Sequence, residues 1–187
     1  MIDPFTYRTA LTEPKLVVLG THDDYTPTDA LNLYWNDLPG PRSVLYLPNT
    51  THAGVYSHSS VNPTAFAFVR TLAADETVPD IDWSVEIVGE VVAVRATPQG
   101  AATAVLLWTA LPSGRDLRVS TWREQAMRQL PAVPGEAAGV YAAEVPLPAE
   151  GYAAFFVEAE FGDSASYKLT TTIQVIEGGS GRTVSRP

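Results

Sequence analysis

Hydrophobic positions change their spacing partway along the chain. Up to about residue 75 they form short unbroken runs followed by helically spaced ones, whereas over residues 79–176 they alternate with polar positions in stretches set off by proline and glycine. Segment 15–19, apolar after its lysine and closed by Gly20, and segment 43–47, closed by Pro48-Asn49, suit strands covered on both faces, as in a parallel sheet. Each is followed by a predicted helix. In the first, Thr28 can cap, Asp29 complements the positive opening turn, and Leu31, Tyr34, Trp35 and Leu38 share one stripe ahead of Pro39-Gly40. In the second, Asn62 is the cap, Pro63 takes the first helical position, and Ala65, Phe66, Val69, Leu72 and Ala73 lie on one face.

The later region predicts strands over 91–96, 103–110, 117–121, 140–145, 152–161 and 169–176. In the clearest, Ala153, Phe155, Val157, Ala159 and Phe161 face one way and Glu158 and Glu160 the other. Turns such as Pro98-Gln99-Gly100 and Pro112-Ser113-Gly114 at this spacing suit a two-sheet sandwich of immunoglobulin or fibronectin type, with an open barrel as the alternative. The change of pattern divides the chain into an α/β part over residues 1–78, an all-β part over 79–176, and a Gly/Ser-rich tail over 177–187 expected to be flexible.

Composition narrows the function classes. The 45% hydrophobic content suits a packed core, and a formal charge of -9 would repel nucleic acid phosphates and anionic lipid, so no nucleic acid partner is expected. The absence of cysteine removes disulfides, thiolate nucleophiles and Cys-ligated zinc. No segment approaches the roughly 20 apolar residues of a membrane span, and Met1-Ile2-Asp3-Pro4-Phe5 lacks the pattern of a signal peptide. A soluble chain without an address in its sequence is expected, its compartment left open.

Candidate chemistry sits where the apolar runs end. Gly20-Thr21-His22-Asp23-Asp24-Tyr25 follows the first strand, the place where α/β hydrolases carry the triad acid, a group that must hold an imidazole in one tautomer and stabilise its charged form. Asp23 is the candidate acid, with Asp24 as the alternative. The second strand runs into Pro48-Asn49-Thr50-Thr51-His52-Ala53-Gly54, which makes His52 the candidate proton shuttle. The order acid, then histidine agrees with the last two members of nucleophile, acid and histidine. The plainer reading makes Asp23 and Asp24 Asx-turn formers and His52 an ordinary loop residue.

Other groupings carry less. His22, Asp23, Asp24, His52 and His58 lack a compact metal-ligand motif. Trp35, Trp83, Trp108 and Trp122 with Tyr152 could form a carbohydrate-binding face, but such residues are more often core, Trp108 above all. Arg115, Arg118, Arg123 and Arg128 could grip an anion, but a solvated strand edge is the commoner origin of such a run.

Several blocks resemble the PhoPQ-activated pathogenicity-related family, whose members look like α/β hydrolases. They are Asp3-Pro4-Phe5-Thr6-Tyr7-Arg8, Leu11-Thr12-Glu13-Pro14-Lys15-Leu16, the Gly20 to Tyr25 block with Pro27 and Asp29, and Pro48-Asn49 with His52. The likeness continues through Trp83, Leu107-Trp108-Thr109-Ala110, Arg115-Asp116-Leu117-Arg118 and Gly151-Tyr152-Ala153-Ala154-Phe155-Phe156-Val157-Glu158. It reaches Thr170-Thr171-Thr172 and Val175.

The resemblance implies a serine hydrolase of esters or amides in which Asp23 orients His52, with no cofactor and an exported location left open. It also implies an upstream portion bearing a serine on a nucleophile elbow. No G-x-S-x-G elbow occurs in these 187 residues, since Gly179-Ser180-Gly181 sits in the tail. The expected object is therefore the C-terminal fragment of such a hydrolase, a partial α/β-hydrolase fold followed by a β-sandwich and inactive alone. Its expected partner is the missing N-terminal half or a second copy, pairing with an open sheet edge. The rival reading is a non-catalytic binding module built on the sandwich.

Overall fold

A computed structural model describes residues 4–132, 139–162 and 166–179. The two apolar runs form strands β1 (Lys15–His22) and β2 (Arg42–Thr51), which lie parallel from Lys15 opposite Arg42 to Gly20 opposite Leu47. Both strands continue past the apolar segment that predicted them. The helix expected from Thr28 is instead a pair of 3-10 turns, Ala30–Leu33 and Trp35–Asp37. Asn and Asp are poor interior helix residues because they bond elsewhere, and here Asn32 donates to the Ile173 carbonyl at 2.6 Å while Asp29 pairs with Arg115.

After β2 come the short helix α1 (His52–Val55) and the longer α2 (Val61–Ala73), which begins one residue before the expected Asn62 cap. Helix α2 buries Thr64 and Ala67 and leaves Phe66 and Val69 on the exposed side. Small residues let its axis come close to the sheet, and the Thr64 hydroxyl both donates to Lys168 O at 3.3 Å and accepts from Lys168 N at 3.1 Å. A polar tie thus decides which face turns inward.

The remaining strands are β3 (Ile81–Val88), β4 (Val91–Pro98), β5 (Ala102–Ala110), β6 (Arg123–Ala126), β7 (Arg128–Gln129), β8 (Tyr141–Pro146), β9 (Tyr152–Phe161), β10 (Tyr167–Thr170) and β11 (Gln174–Glu177). One sheet runs β1-β2-β10-β9-β5-β6 with β11 also on β9, and the other runs β3-β4-β8-β7. β3 was not anticipated although Trp83, Val85 and Ile87 alternate with Ser84 and Glu86; it turns into β4 through Gly89, whose φ of 61 favours glycine. The segment expected as a strand at 117–121 is a 3-10 turn, Leu117–Val119.

The run expected at 169–176 divides into β10 and β11. At the break Thr171 bonds Val157 twice, its N–H donating to Val157 O at 2.9 Å and its hydroxyl accepting from Val157 N at 3.0 Å. The same run attaches the parallel pair to the antiparallel strands. β2 meets β10 antiparallel with Thr170 opposite Val44, and the Thr170 hydroxyl accepts from Tyr46 N at 3.0 Å and donates to Val44 O at 3.3 Å. The sheet therefore runs continuously across the change of pattern near residue 79.

The fold is β-rich, and strand β9 lies at its centre. Ala153, Phe155, Val157, Ala159 and Phe161 pack with Val92, Val94 and Val145 of the second sheet, as their alternation predicts. On the opposite face Ala154 and Phe156 join a second core with Leu31, Tyr46, Leu117 and Trp122. Among the described residues no helix is long and apolar enough to cross a membrane. Glu177, the expected start of the tail, ends β11, and residues 180–187 lie outside the described residues.

Candidate functional site

The parallel pairing of β1 and β2 slips at its carboxyl end. After Gly20 opposite Leu47, the next pairing is His22 opposite Thr51, so β2 carries extra residues there and its chain bulges toward β1. Gly20 makes room for that bulge, because a Cβ there would run into the Thr50 carbonyl oxygen. Asn49, at the turn of the bulge, has φ 54, a left-handed conformation that Asn tolerates better than most residues.

Side chains rather than apolar contact hold the bulge. Asn49 N–H donates to the buried Thr21 hydroxyl at 2.7 Å, and the Asn49 amide clasps the Trp122 backbone, Nδ2 donating to Trp122 O at 2.9 Å and Oδ1 accepting from Trp122 N at 2.8 Å. The Thr28 hydroxyl donates to Thr21 O at 2.9 Å, closing the loop that follows β1.

This frame brings Asp23 and His52 together. Asp23 is buried, and its Oδ2 lies 2.8 Å from His52 Nδ1. Its other oxygen, Oδ1, accepts from Tyr25 N at 2.8 Å and Thr26 N at 3.0 Å. The Asx-turn and the imidazole contact, weighed as alternatives from the sequence, coexist with one carboxylate oxygen each. The carboxylate that reaches the imidazole is that of Asp23, while Asp24 is exposed.

Burial pushes the Asp23 pKa up, but the bonds from His52 and from the Thr26 and Tyr25 amides outweigh it and hold the carboxyl below its ordinary value. An ionised carboxylate only accepts hydrogen bonds, so the proton on this contact belongs to His52 Nδ1. In the neutral ring that leaves the Nε2 lone pair available to take a proton.

His52 opens α1, and Thr51 caps the helix by accepting from Gly54 N at 3.3 Å. Its side chain is 43% exposed against 4% for Asp23, so the buried acid carries an imidazole that reaches solvent. Two exposed tyrosines flank the ring edge-on, Tyr25 at 4.9 Å and Tyr56 at 5.8 Å between centroids. Neither tyrosine, nor the clasp by Asn49, was assigned a role from the sequence. An Asn that follows Pro where an apolar run stops was the available signal.

The other candidates disperse. His22 Nε2 lies 2.7 Å from the Ser120 carbonyl and His58 Nδ1 accepts from Ser60 N at 3.3 Å, both apart from the Asp23–His52 pair. Among the described residues no three His, Cys, Asp or Glu side chains are grouped to hold a metal ion. Arg115 pairs with Asp29, Arg118 makes two 2.8 Å bonds to Asp116, and Arg123 and Arg128 are exposed on β6 and β7.

Residues 1–118 match the model of a family described as PhoPQ-activated pathogenicity-related protein. The chain is also 24% identical over 199 residues to autocrine proliferation repressor protein A of Dictyostelium discoideum. That alignment takes in 94% of this chain and 40% of the relative, so the chain spans two fifths of the length of the curated protein it matches.

Proposed function

The chain belongs to the PhoPQ-activated pathogenicity-related protein family, and from that premise we propose that Asp23 and His52 are the acid and base of a serine hydrolase acting on an ester or amide. The observation that carries the reading is the 2.8 Å contact between Asp23 Oδ2 and His52 Nδ1, with Oδ1 tied to two backbone amides. Those ties fix the carboxylate, the carboxylate fixes the tautomer, and Nε2 is left to take the proton of an attacking hydroxyl and return it to the leaving group. Residues 1–78 are on this reading part of an α/β-hydrolase domain and residues 79–176 an immunoglobulin-like sandwich docked on it.

No nucleophile elbow occurs in this sequence, so the attacking serine and the oxyanion donors come from protein outside these residues, and this chain alone is inactive. Among the described residues strand β1 ends the order of its sheet, and on this reading its outer edge is where a further strand of that protein, or a second copy, would pair. A second reading, a non-catalytic interaction module, draws on the relative's name, which describes repression of proliferation and no hydrolysis.

One experiment separates the readings. An activated ester is offered to this chain mixed with the portion of a family member that lies upstream of the acid, with and without His52→Ala. The hydrolytic reading expects turnover that falls by about 10⁴-fold in the variant. Turnover indifferent to His52, or none from a complex shown to have formed, leaves the interaction module.

A further inference from the structure

Of the four tryptophans, Trp122 is buried in the core, Trp108 stacks on Phe156 with 6.4 Å between centroids, and Trp35 and Trp83 are partly buried, each packed against one of the two cores. The last two come from segments far apart in the chain and line one cavity of about 260 Å3 between β2, β10 and the edge strand β3. Asn36, Arg42, Ser43 and Asp80 line it as well, and neither Asp23 nor His52 does.

The polar groups of this cavity are anchored with capacity to spare. Arg42 donates from Nη1 to Leu38 O at 2.9 Å and from Nη2 to Asn36 Oδ1 at 3.3 Å, with its guanidinium 5.3 Å from the centre of the Trp35 ring. Two bonds leave further N–H donors on a group that has five. Asp80 is anchored through Oδ1, which accepts from Ile81 N at 2.8 Å, and a carboxylate can accept several more bonds.

A ligand of a single sign meets one opposite and one like charge on this cavity, so net charge gains it little. A neutral polyhydroxyl molecule satisfies both, its hydroxyls donating to the carboxylate and accepting from the guanidinium. The flat C–H face of a sugar ring also suits an indole. The volume falls below the roughly 300–1,000 Å3 of pockets that enclose drug-sized ligands, which limits the occupant to about one ring.

We propose that this cavity binds a single neutral sugar ring, stacked on Trp83, with hydroxyls held by Asp80 and Arg42. The site is independent of the hydrolytic reading, since neither Asp23 nor His52 lines the cavity.

The test is a titration of the full chain, followed by ¹H–¹⁵N spectra, with glucose, galactose, mannose and N-acetylglucosamine in turn and inorganic phosphate as the anionic arm. At least one sugar is expected to shift the Trp83 indole N–H, assigned through Trp83→Phe, in a saturable way. Asp80 is exposed, so Asp80→Asn keeps the fold, and it is expected to weaken that sugar about tenfold or more. The proposal is overturned if none of the four sugars gives a saturable shift, if the shift survives Asp80→Asn undiminished, or if phosphate alone produces it.

Discussion

The middle of β9 and the ends of β1 and β2 are held by different physics. From Ala153 to Val157 both faces of β9 are apolar, with Phe155 and Val157 in one core and Phe156 in the other, and pairing to β5 is continuous from Ala104 to Ala110. At the strand ends the contacts are directional: Thr21 with Asn49, Asn49 with Trp122, Asp23 with two amides and an imidazole. Apolar packing is summed over many weak contacts, whereas a hydrogen bond depends on one partner at one angle. Damage to β9 should therefore unfold the chain, and damage at the strand ends should misplace the site while the sheets persist.

The sharpest way to probe that contrast is Phe156→Ala. Phe156 is fully buried against Tyr46, Trp108 and Trp122, and its truncation is expected to cost about 3–5 kcal/mol in urea unfolding. A loss under about 1 kcal/mol would mean that the second core is loosely packed.

Asn49 separates two effects at the site. Asn49→Gly removes the clasp on Trp122 but keeps the left-handed turn, while Asn49→Ala also strains it by about 1–2 kcal/mol, so the stability order should be Asn, Gly, Ala. In both variants the ¹⁵N signature of a protonated His52 Nδ1 should weaken while the circular dichroism of the sheets is retained. An unaltered signature would show that Asn49 does not position His52.

Asp23 supplies a pH dependence. Its folded pKa lies below the unfolded value of about 3.9, so its contribution to stability is present above that value and lost as pH falls through the folded pKa. The stability gap between the parent chain and Asp23→Asn is expected to narrow as the solution is acidified from about pH 5 to below pH ~4, the range in which a carboxylate rather than an imidazole titrates. A gap that widened on acidification would give the shift the opposite sign.

The smallest effect is expected at Phe66, which lies 74% exposed on α2. Phe66→Ser should change stability by no more than about 0.5 kcal/mol. A larger, concentration-dependent loss in equilibrium sedimentation and unfolding would reveal that another chain covers this face.

The same contrast governs what could be read from the chain beforehand. Alternation placed β9 correctly from Tyr152 to Phe161 and assigned its inward residues, because a period of two follows from backbone geometry alone. The positions of Asp23 and His52 just past two apolar runs were legible for a related reason, since such runs end where the chain leaves the sheet. Spacing misjudged α2, whose Phe66 side faces outward, because the inward choice rests on the Thr64 hydroxyl and the Lys168 backbone. It also ran a strand through 169–176, where Thr171 substitutes its side chain for part of the ladder.

Local pattern by itself placed β1, β2, β4, β5, β8 and β9, the core residues of β9, and a carboxylate and an imidazole at strand ends. Tertiary structure alone decided that Asp23 rather than Asp24 meets His52, that Thr170 attaches the parallel pair to the antiparallel strands, and that Trp35 and Trp83 share a cavity. Periodicity records the environment of each face of an element, averaged over several residues. A single hydrogen bond between residues such as Asn49 and Trp122, 73 positions apart, leaves no period to read.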